Sequence, residues 1–242
     1  MSDSDPLPPL PDDWGRGLAV VAHPDDLEYG AASAVARWTS EGKYLAYALA
    51  TTGEAGIDSL APEEAGPLRA DEERASAAVV GVDAVEFMGH RDGMIEYGLD
   101  LRRDIAAAIR RHRPDVIVTL NHHDTWGGRS YNMADHRVVG LAVIDAARDA
   151  ANRWVFRDLL EQGLEPWNGV RMVCLNGSPD PTHAVDVTGF IDRGVESLLA
   201  HRAYLDNLGT DFDARAFLES GASHVGKRAG VEHAVAFEVI EV

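Results

Sequence analysis

A single cysteine among 242 residues excludes an intrachain disulfide. Cys174 lies in the apolar segment Val170 to Leu175, which predicts a buried small side chain rather than a nucleophile. No uninterrupted apolar stretch reaches about 18 residues, so a membrane-spanning helix is not expected. The opening MSDSDPLPPLPDD has neither the basic region nor the hydrophobic run of a signal peptide, and a cytoplasmic location is favoured. Basic residues are scarce: 22 Lys and Arg against 40 Asp and Glu leave a net charge of −18. That balance disfavours attraction to nucleic-acid phosphates or anionic lipid, and puts most of the excess acid on a solvated exterior.

What is present is ordinary globular material, 45% hydrophobic and 26% charged, which excludes global disorder and a miniature fold dependent on staples. Residues 1 to 16, rich in proline and aspartate, read as a surface arm, and 17 to 242 as one domain. GLAVVA, 17 to 22, is a short apolar run ending in a polar turn, and residues 28 to 40 carry apolar and small side chains at helical spacing. The alternation continues with a strand in 43 to 51, a helix over 70 to 80 and a strand in 84 to 89. A helix over 99 to 113 stops at Pro114 before the strand DVIVTL, 115 to 120, and another helix runs from 135 to 149. A strand at 170 to 175, a helix over 189 to 206, a short helical segment near 212 to 220 and a strand at 233 to 240 complete the series. Strands and helices in this alternation predict an α/β fold. NHHDTWGGRSYNM, 121 to 133, is too polar for a core and suits a pocket loop.

Two segments carry candidate chemistry. AHPDDLEYG, 22 to 30, follows the first strand, where α/β sheets commonly place functional loops. There His23 and Asp26 can point into one cavity, while Asp25 can take a proton from a metal-bound water without being a ligand itself. The competing reading is an acidic helix start, with Asp25 and Asp26 satisfying free amide groups. The second segment runs from His122-His123-Asp124 to MADHR, 133 to 137. His136 would complete a site of two histidines and one carboxylate with room for water, a plausible set for catalytic zinc. His122 or His123 can polarise a carbonyl or stabilise its oxyanion, with Asp124 orienting one ring.

On these residues the sequence resembles the LmbE-like, PIG-L-type N-acetylglucosaminyl deacetylase family. The likeness spans most of 17 to 205, through AHPDDLEYG, LRADEE (68 to 73), GHRDGM (89 to 94), DVIVTLN (115 to 121) and VDVTGFIDRGVESLLAHR (185 to 202). The resemblance implies a Rossmann-like, mostly parallel sheet with helices on both faces. It further implies a zinc-dependent enzyme that removes an acyl group, commonly acetyl, from the nitrogen of a glucosamine-containing small molecule. Carried over, it makes His23, Asp26 and His136 the Zn2+ ligands, Asp25 the general base, and Arg69 and Asp92 substrate-positioning residues. His201 matches a C-terminal histidine of the family and reads as structural support.

The sequence departs from the family where a His-x-x-His is common, because Met133 stands in the first position. Methionine has no N–H to donate, so His122, His123, Asn132 or a backbone amide would have to stabilise the transition state. Trp126 with Gly127 and Gly128 can form a sugar-facing platform or simply fold the loop, and Arg129 can meet an acidic substituent or lie exposed. GASHVGKR, 221 to 228, can make a mobile rim or a partner contact. Two other readings stay open: a noncatalytic, metal-dependent carbohydrate-binding protein, which explains the aromatic loop but leaves the ordered set of Asp25, Asp26 and His136 without a catalytic use, and a metal-dependent phosphodiesterase, for which no dense cationic patch is evident. Assembly into a homo-oligomer is left undecided.

Overall fold

After its exposed first residue, Arg16, the first strand carries no polar side chain, because both of its faces are covered. In β1 (Arg16–Val21), Leu18 and Val20 point into one hydrophobic layer, and Ala19 and Val21 into the other. A computed structural model describes residues 5–208 and 212–242, so residues 1 to 4 of the expected arm lie outside it. The chain runs through α1 (Ala32–Ser40), β2 (Tyr44–Leu49), α2 (Pro62–Val79), β3 (Ala84–Phe87), α3 (Leu99–His112) and β4 (Val116–Leu120). A short hairpin of β5 (Thr125–Gly127) and β6 (Ser130–Tyr131) leads to α4 (Ala134–Ala151) and the single turn α5 (Asp158–Glu161). It closes with β7 (Met172–Asn176), β8 (His183–Asp186), α6 (Ile191–Leu199), α7 (Arg202–Asn207), α8 (Ala214–Ala229) and β9 (Ala234–Glu241).

Seven strands form one sheet in the order β3-β2-β1-β4-β7-β9-β8. β3, β2, β1, β4 and β7 are mutually parallel, and β9 runs antiparallel to both β7 and β8. Helices α1, α2, α6 and α8 cover one face, and α3 and α4 the other. This is the Rossmann-like, mostly parallel arrangement with helices on both faces. Connections leave β1 and β4 toward opposite faces, and a crevice opens between their carboxyl ends, where such sheets place ligands.

Several element bounds differ from the sequence expectation for local reasons. Residues 24 to 31 wind as turns before α1, because Asp26 and its neighbours bond back to the strand end rather than opening a helix. Pro62 and Pro67 mask the first turns of α2, which starts well before residue 70. The expected helix over 189 to 206 breaks at Ala200 and His201 into α6 and α7. GASHVGKR is the second half of α8, a helix packed on the sheet, rather than a loop rim. The proline-rich arm lies along the outer strand: Leu10 donates to the Ala184 carbonyl, and Ala184 to that of Pro8, at 2.9 Å each, which covers the β8 edge. Among the described residues no helix is long and apolar enough to cross a membrane.

Candidate metal centre and active site

Asp26 is fixed by the end of β1. Its Oδ2 accepts the backbone N–H groups of Ala22 and His23 at 2.9 and 2.8 Å, leaving Oδ1 to face two imidazoles. His23 Nδ1 lies 3.5 Å from that oxygen, and His136 Nε2, from the first turn of α4, lies 3.0 Å from it. The three donor atoms lie within 4.8 Å of one another.

Each imidazole is oriented from behind. The Asn132 amide donates to the carbonyls of Asn121 and His123 at 2.8 and 3.0 Å, so its Oδ1 is the acceptor facing His136 Nδ1 at 3.2 Å. That assigns the proton to Nδ1 and leaves the Nε2 lone pair pointing at Asp26. His23 Nε2 lies 3.1 Å from Asp92 and 3.2 Å from Asp135, so its Nδ1 lone pair also faces inward. Asp135 is in turn held by N–H groups of Gly93 at 2.7 Å and Ile95 at 3.2 Å.

Whether this pocket suits a cation follows from its own donors. His136 Nε2 is buried without a hydrogen-bond partner, although a carboxylate oxygen stands beside it. Two lone pairs facing each other inside a protein require a shared positive charge. Burial works against a charged His23, but the Asp26 charge and hydrogen bonds donated to Asp135, Asp26 and Asp92 push the imidazole up to about 12. Burial likewise opposes ionisation of Asp26, and His136 and His23 outweigh it and hold the carboxyl well below its usual range. Two imidazoles and one carboxylate, with carboxylate and amide partners behind the rings, fit zinc and leave a position for water.

Asp25 stands beside this set, next to Asp26 in the chain, with a left-handed φ of 91° that L residues rarely adopt. Its Oδ1 pairs with Arg69 Nη2 at 3.2 Å. Arg69 is buried and donates to the Pro24 and Gly53 carbonyls at 2.6 and 2.9 Å, so it braces the loop carrying Asp25. Burial raises the Asp25 carboxyl, Arg69 pulls it back, and the balance leaves it pushed up to about 7. A carboxylate poised there can take and return a proton near neutrality.

The other residues singled out from the sequence take distinct places. Asp92 lies against the His23 ring and accepts the Ala55 N–H at 2.8 Å, and fully buried Asn132 sits behind His136. Trp126 is partly exposed with its ring steeply inclined to that of His136, centroids 5.5 Å apart. His123 is engaged by Glu238 at 2.8 Å, whereas the neighbouring His122 has an unpartnered Nδ1. Asp124 pairs with Arg137 rather than with either ring, and Met133 precedes α4, partly exposed. Sequence reasoning missed Asp135, Glu28, Glu73 and Tyr204. Asp135 was signalled by its place directly before His136, and Glu73 by standing one helical turn after Arg69.

The chain has known relatives. The PIG-L family model, GlcNAc-PI de-N-acetylase, matches residues 18–147. The chain belongs to this family. It is similar to the diacetylchitobiose deacetylase of Thermococcus kodakarensis, 24% identical over 224 residues, covering 92% of this chain and 82% of that one. Among solved structures, the N,N'-diacetylchitobiose deacetylase of Pyrococcus horikoshii superposes with a TM-score of 0.84 at 24% identity, over 94% of this chain and 84% of the other. The fold also matches GalB, the 4-carboxy-2-hydroxymuconate hydratase of Pseudomonas putida, with a TM-score of 0.73 at 16% identity over 93% and 96% of the two chains. PIG-L family membership and the His/Asp cluster make this chain a hydrolytic enzyme of the deacetylase type, whereas the likeness to the two solved structures is one of fold.

Proposed function

We propose that this PIG-L family chain is a zinc-dependent hydrolase that removes an acyl group, acetyl above all, from the nitrogen of a glucosamine-containing small molecule. The observation that carries the reading is a set of three inward-facing donors, His23 Nδ1, Asp26 Oδ1 and His136 Nε2, with the near-neutral carboxylate of Asp25 beside it. Zinc held by those three residues would polarise the acyl carbonyl and acidify a water. Asp25 accepts the proton of the attacking water at its carboxylate and returns it to the amine nitrogen as the C–N bond breaks, which yields a carboxylic acid and a free amine. Arg69 keeps the carboxylate turned toward the reacting water. His122 is the free donor of the histidine pair for the oxyanion, because His123 is spent on Glu238. Trp126 walls the pocket beside His136 and offers a flat face to the sugar. A cytoplasmic working place belongs to the same reading and agrees with one buried free cysteine.

The test is a product-resolved panel on zinc-loaded protein: N-acetylglucosamine, its disaccharide, and glycosylated, lipid-linked and thiol-linked forms, with mass analysis of both products. Asp25→Asn should keep one zinc per chain and lose hydrolysis, and Asp26→Ala should lose the zinc. Release of phosphate, or binding of the sugars without acid and amine products, would replace this reading. Unimpaired hydrolysis by both variants would remove the residue assignments.

A further inference from the structure

Arg69, Glu73 and Ser76 are spaced four and three residues apart on α2 and so share one face of the helix. That face points inward: the three residues are 2%, 1% and 0% exposed. Burying such a stripe carries a desolvation cost that its contacts must offset. The contacts follow the catalytic loop in order. Arg69 holds the Pro24 carbonyl and the Asp25 carboxylate, Glu73 Oε2 accepts the Asp25 N–H at 3.3 Å, and Ser76 donates to Glu28 Oε1 at 2.7 Å. Asp25 is thus gripped at its side chain and at its backbone by residues one turn apart on a single helix.

From the opposite side comes the break between α6 and α7. His201, fully buried, places Nε2 between the two carboxylates, 3.8 Å from Glu28 and 3.6 Å from Glu73. Three residues on, the Tyr204 ring lies 4.3 Å below the Arg69 guanidinium. Ser197, in α6, meets Ser76 at 2.7 Å.

A left-handed aspartate is strained and persists only where its surroundings over-determine it. Glu73 supplies the acceptor for that residue's buried amide, and His201 stands between the two buried carboxylates. We propose that Glu73 and His201 are positioning residues for the catalytic base, acting on Asp25 through the backbone of its loop. The proposal rests on the amide-hydrolase reading. The same three side chains converge as a metal site would, but one oxygen of each glutamate is already committed as an acceptor, to Ser76 and to the Asp25 amide.

The experiment compares wild type, Glu73→Ala, Glu73→Gln and His201→Asn, with Asp71→Ala on the exposed side of α2 as control. It reads kcat and KM separately, zinc per chain, and hydrogen exchange of residues 23 to 30. Misplacement by about 1 Å can cost about 100-fold in rate. Glu73→Ala should therefore lose kcat on that scale, with KM within about twofold, one zinc retained and faster exchange at the Asp25 amide. Glu73→Gln keeps an acceptor oxygen and should recover most of the rate, and His201→Asn should shift kcat and exchange in the same direction as Glu73→Ala. An unchanged kcat in Glu73→Ala, equal losses in Ala and Gln, or a second equivalent of zinc that disappears in His201→Asn would overturn the proposal. If Glu73→Ala does not fold, His201→Asn against wild type decides. Wild-type protein that binds zinc yet cleaves no amide defeats the hydrolase reading alone, because the exchange measurement needs no substrate and still reports on the positioning.

Discussion

Asp135→Asn isolates the carboxylate behind His23. In the folded chain Asp135 is 1% exposed, and its two oxygens serve three donors: the N–H groups of Gly93 and Ile95, and His23 Nε2 at 3.2 Å. Asparagine keeps one oxygen, and with its NH2 where Oδ2 stood the Gly93 N–H and His23 Nε2 both lose their acceptor. Losing such a partner behind a ligand histidine typically costs 10–100-fold in metal affinity, about 1.4–2.7 kcal/mol. The stranded backbone donor adds about 1–3 kcal/mol of lost stability in the metal-free protein. Asp92 shares the same ring nitrogen at 3.1 Å and can take over its proton, so each single Asn variant should be cushioned by the other. Asp92→Asn combined with Asp135→Asn should therefore lose more zinc affinity than the sum of the two single losses. Zinc affinity is read by competition with a chromophoric chelator, and stability by the thermal midpoint of the metal-free form. Zinc affinity within twofold of wild type in the double variant, alongside a lowered midpoint, would show that Asp135 only braces the 93 to 95 turn, and would refute the orienting role.

Gly53→Ala should lose activity while keeping its zinc. Gly53 has a φ of +67°, and an added Cβ would come 2.3 Å from the Arg69 guanidinium, which must shift away from Asp25. The backbone conformation alone costs a residue with a Cβ about 1–2 kcal/mol, measurable by denaturant unfolding, and unchanged kcat would show that Arg69 is not needed in its present place. Cys174 should resist thiol reagents at pH 8 in the native protein and react as one equivalent per chain in denaturant, because burial pushes its thiol up to about 12. Rapid native labelling would contradict its position in the core strand β7.

The α/β alternation was legible because strands buried on both faces, such as 17 to 22 and 116 to 120, read as short, largely apolar runs. Short elements were not: the four-residue β8 and the β5-β6 hairpin owe their form to partners distant in sequence, a context that local pattern does not carry. At the site, the histidines and aspartates of AHPDD and MADHR stood out because those residue types rarely gather without use. Glu73 and His201 did not, since an acidic residue on a charged helix and a lone histidine read as solvated or structural until the fold buries them against each other. The family resemblance makes Arg69 and Asp92 substrate-positioning residues; what the structure adds is that Arg69 pairs with Asp25 and Asp92 lies against His23, contacts that depend on tertiary packing rather than on residue type.

Sheet topology explains why base and metal ligands are held from different sides. β1 and β4 are neighbours whose following helices cover opposite faces, so the crevice at their carboxyl ends is bounded by both layers. Helix α2 and the α6-α7 break, on one face, reach Asp25 through Arg69, Glu73 and Tyr204. Helix α4 and the 92 to 95 turn, from the other, orient His136 and His23 through Asn132, Asp135 and Asp92. Among the described residues the two grips share no side chain; they adjoin where Asp25 meets Asp26 in the chain, and again at the 53 to 55 segment, whose Gly53 carbonyl accepts from Arg69 and whose Ala55 N–H is donated to Asp92. Variants in the α2 layer should therefore lower turnover at unchanged zinc content, and variants behind the histidines should lower zinc affinity while leaving the turnover of fully loaded protein nearly intact. A substitution behind His136 that abolished turnover at full zinc occupancy would show that the layers are coupled through the loop, and that Asp26 transmits its position to Asp25.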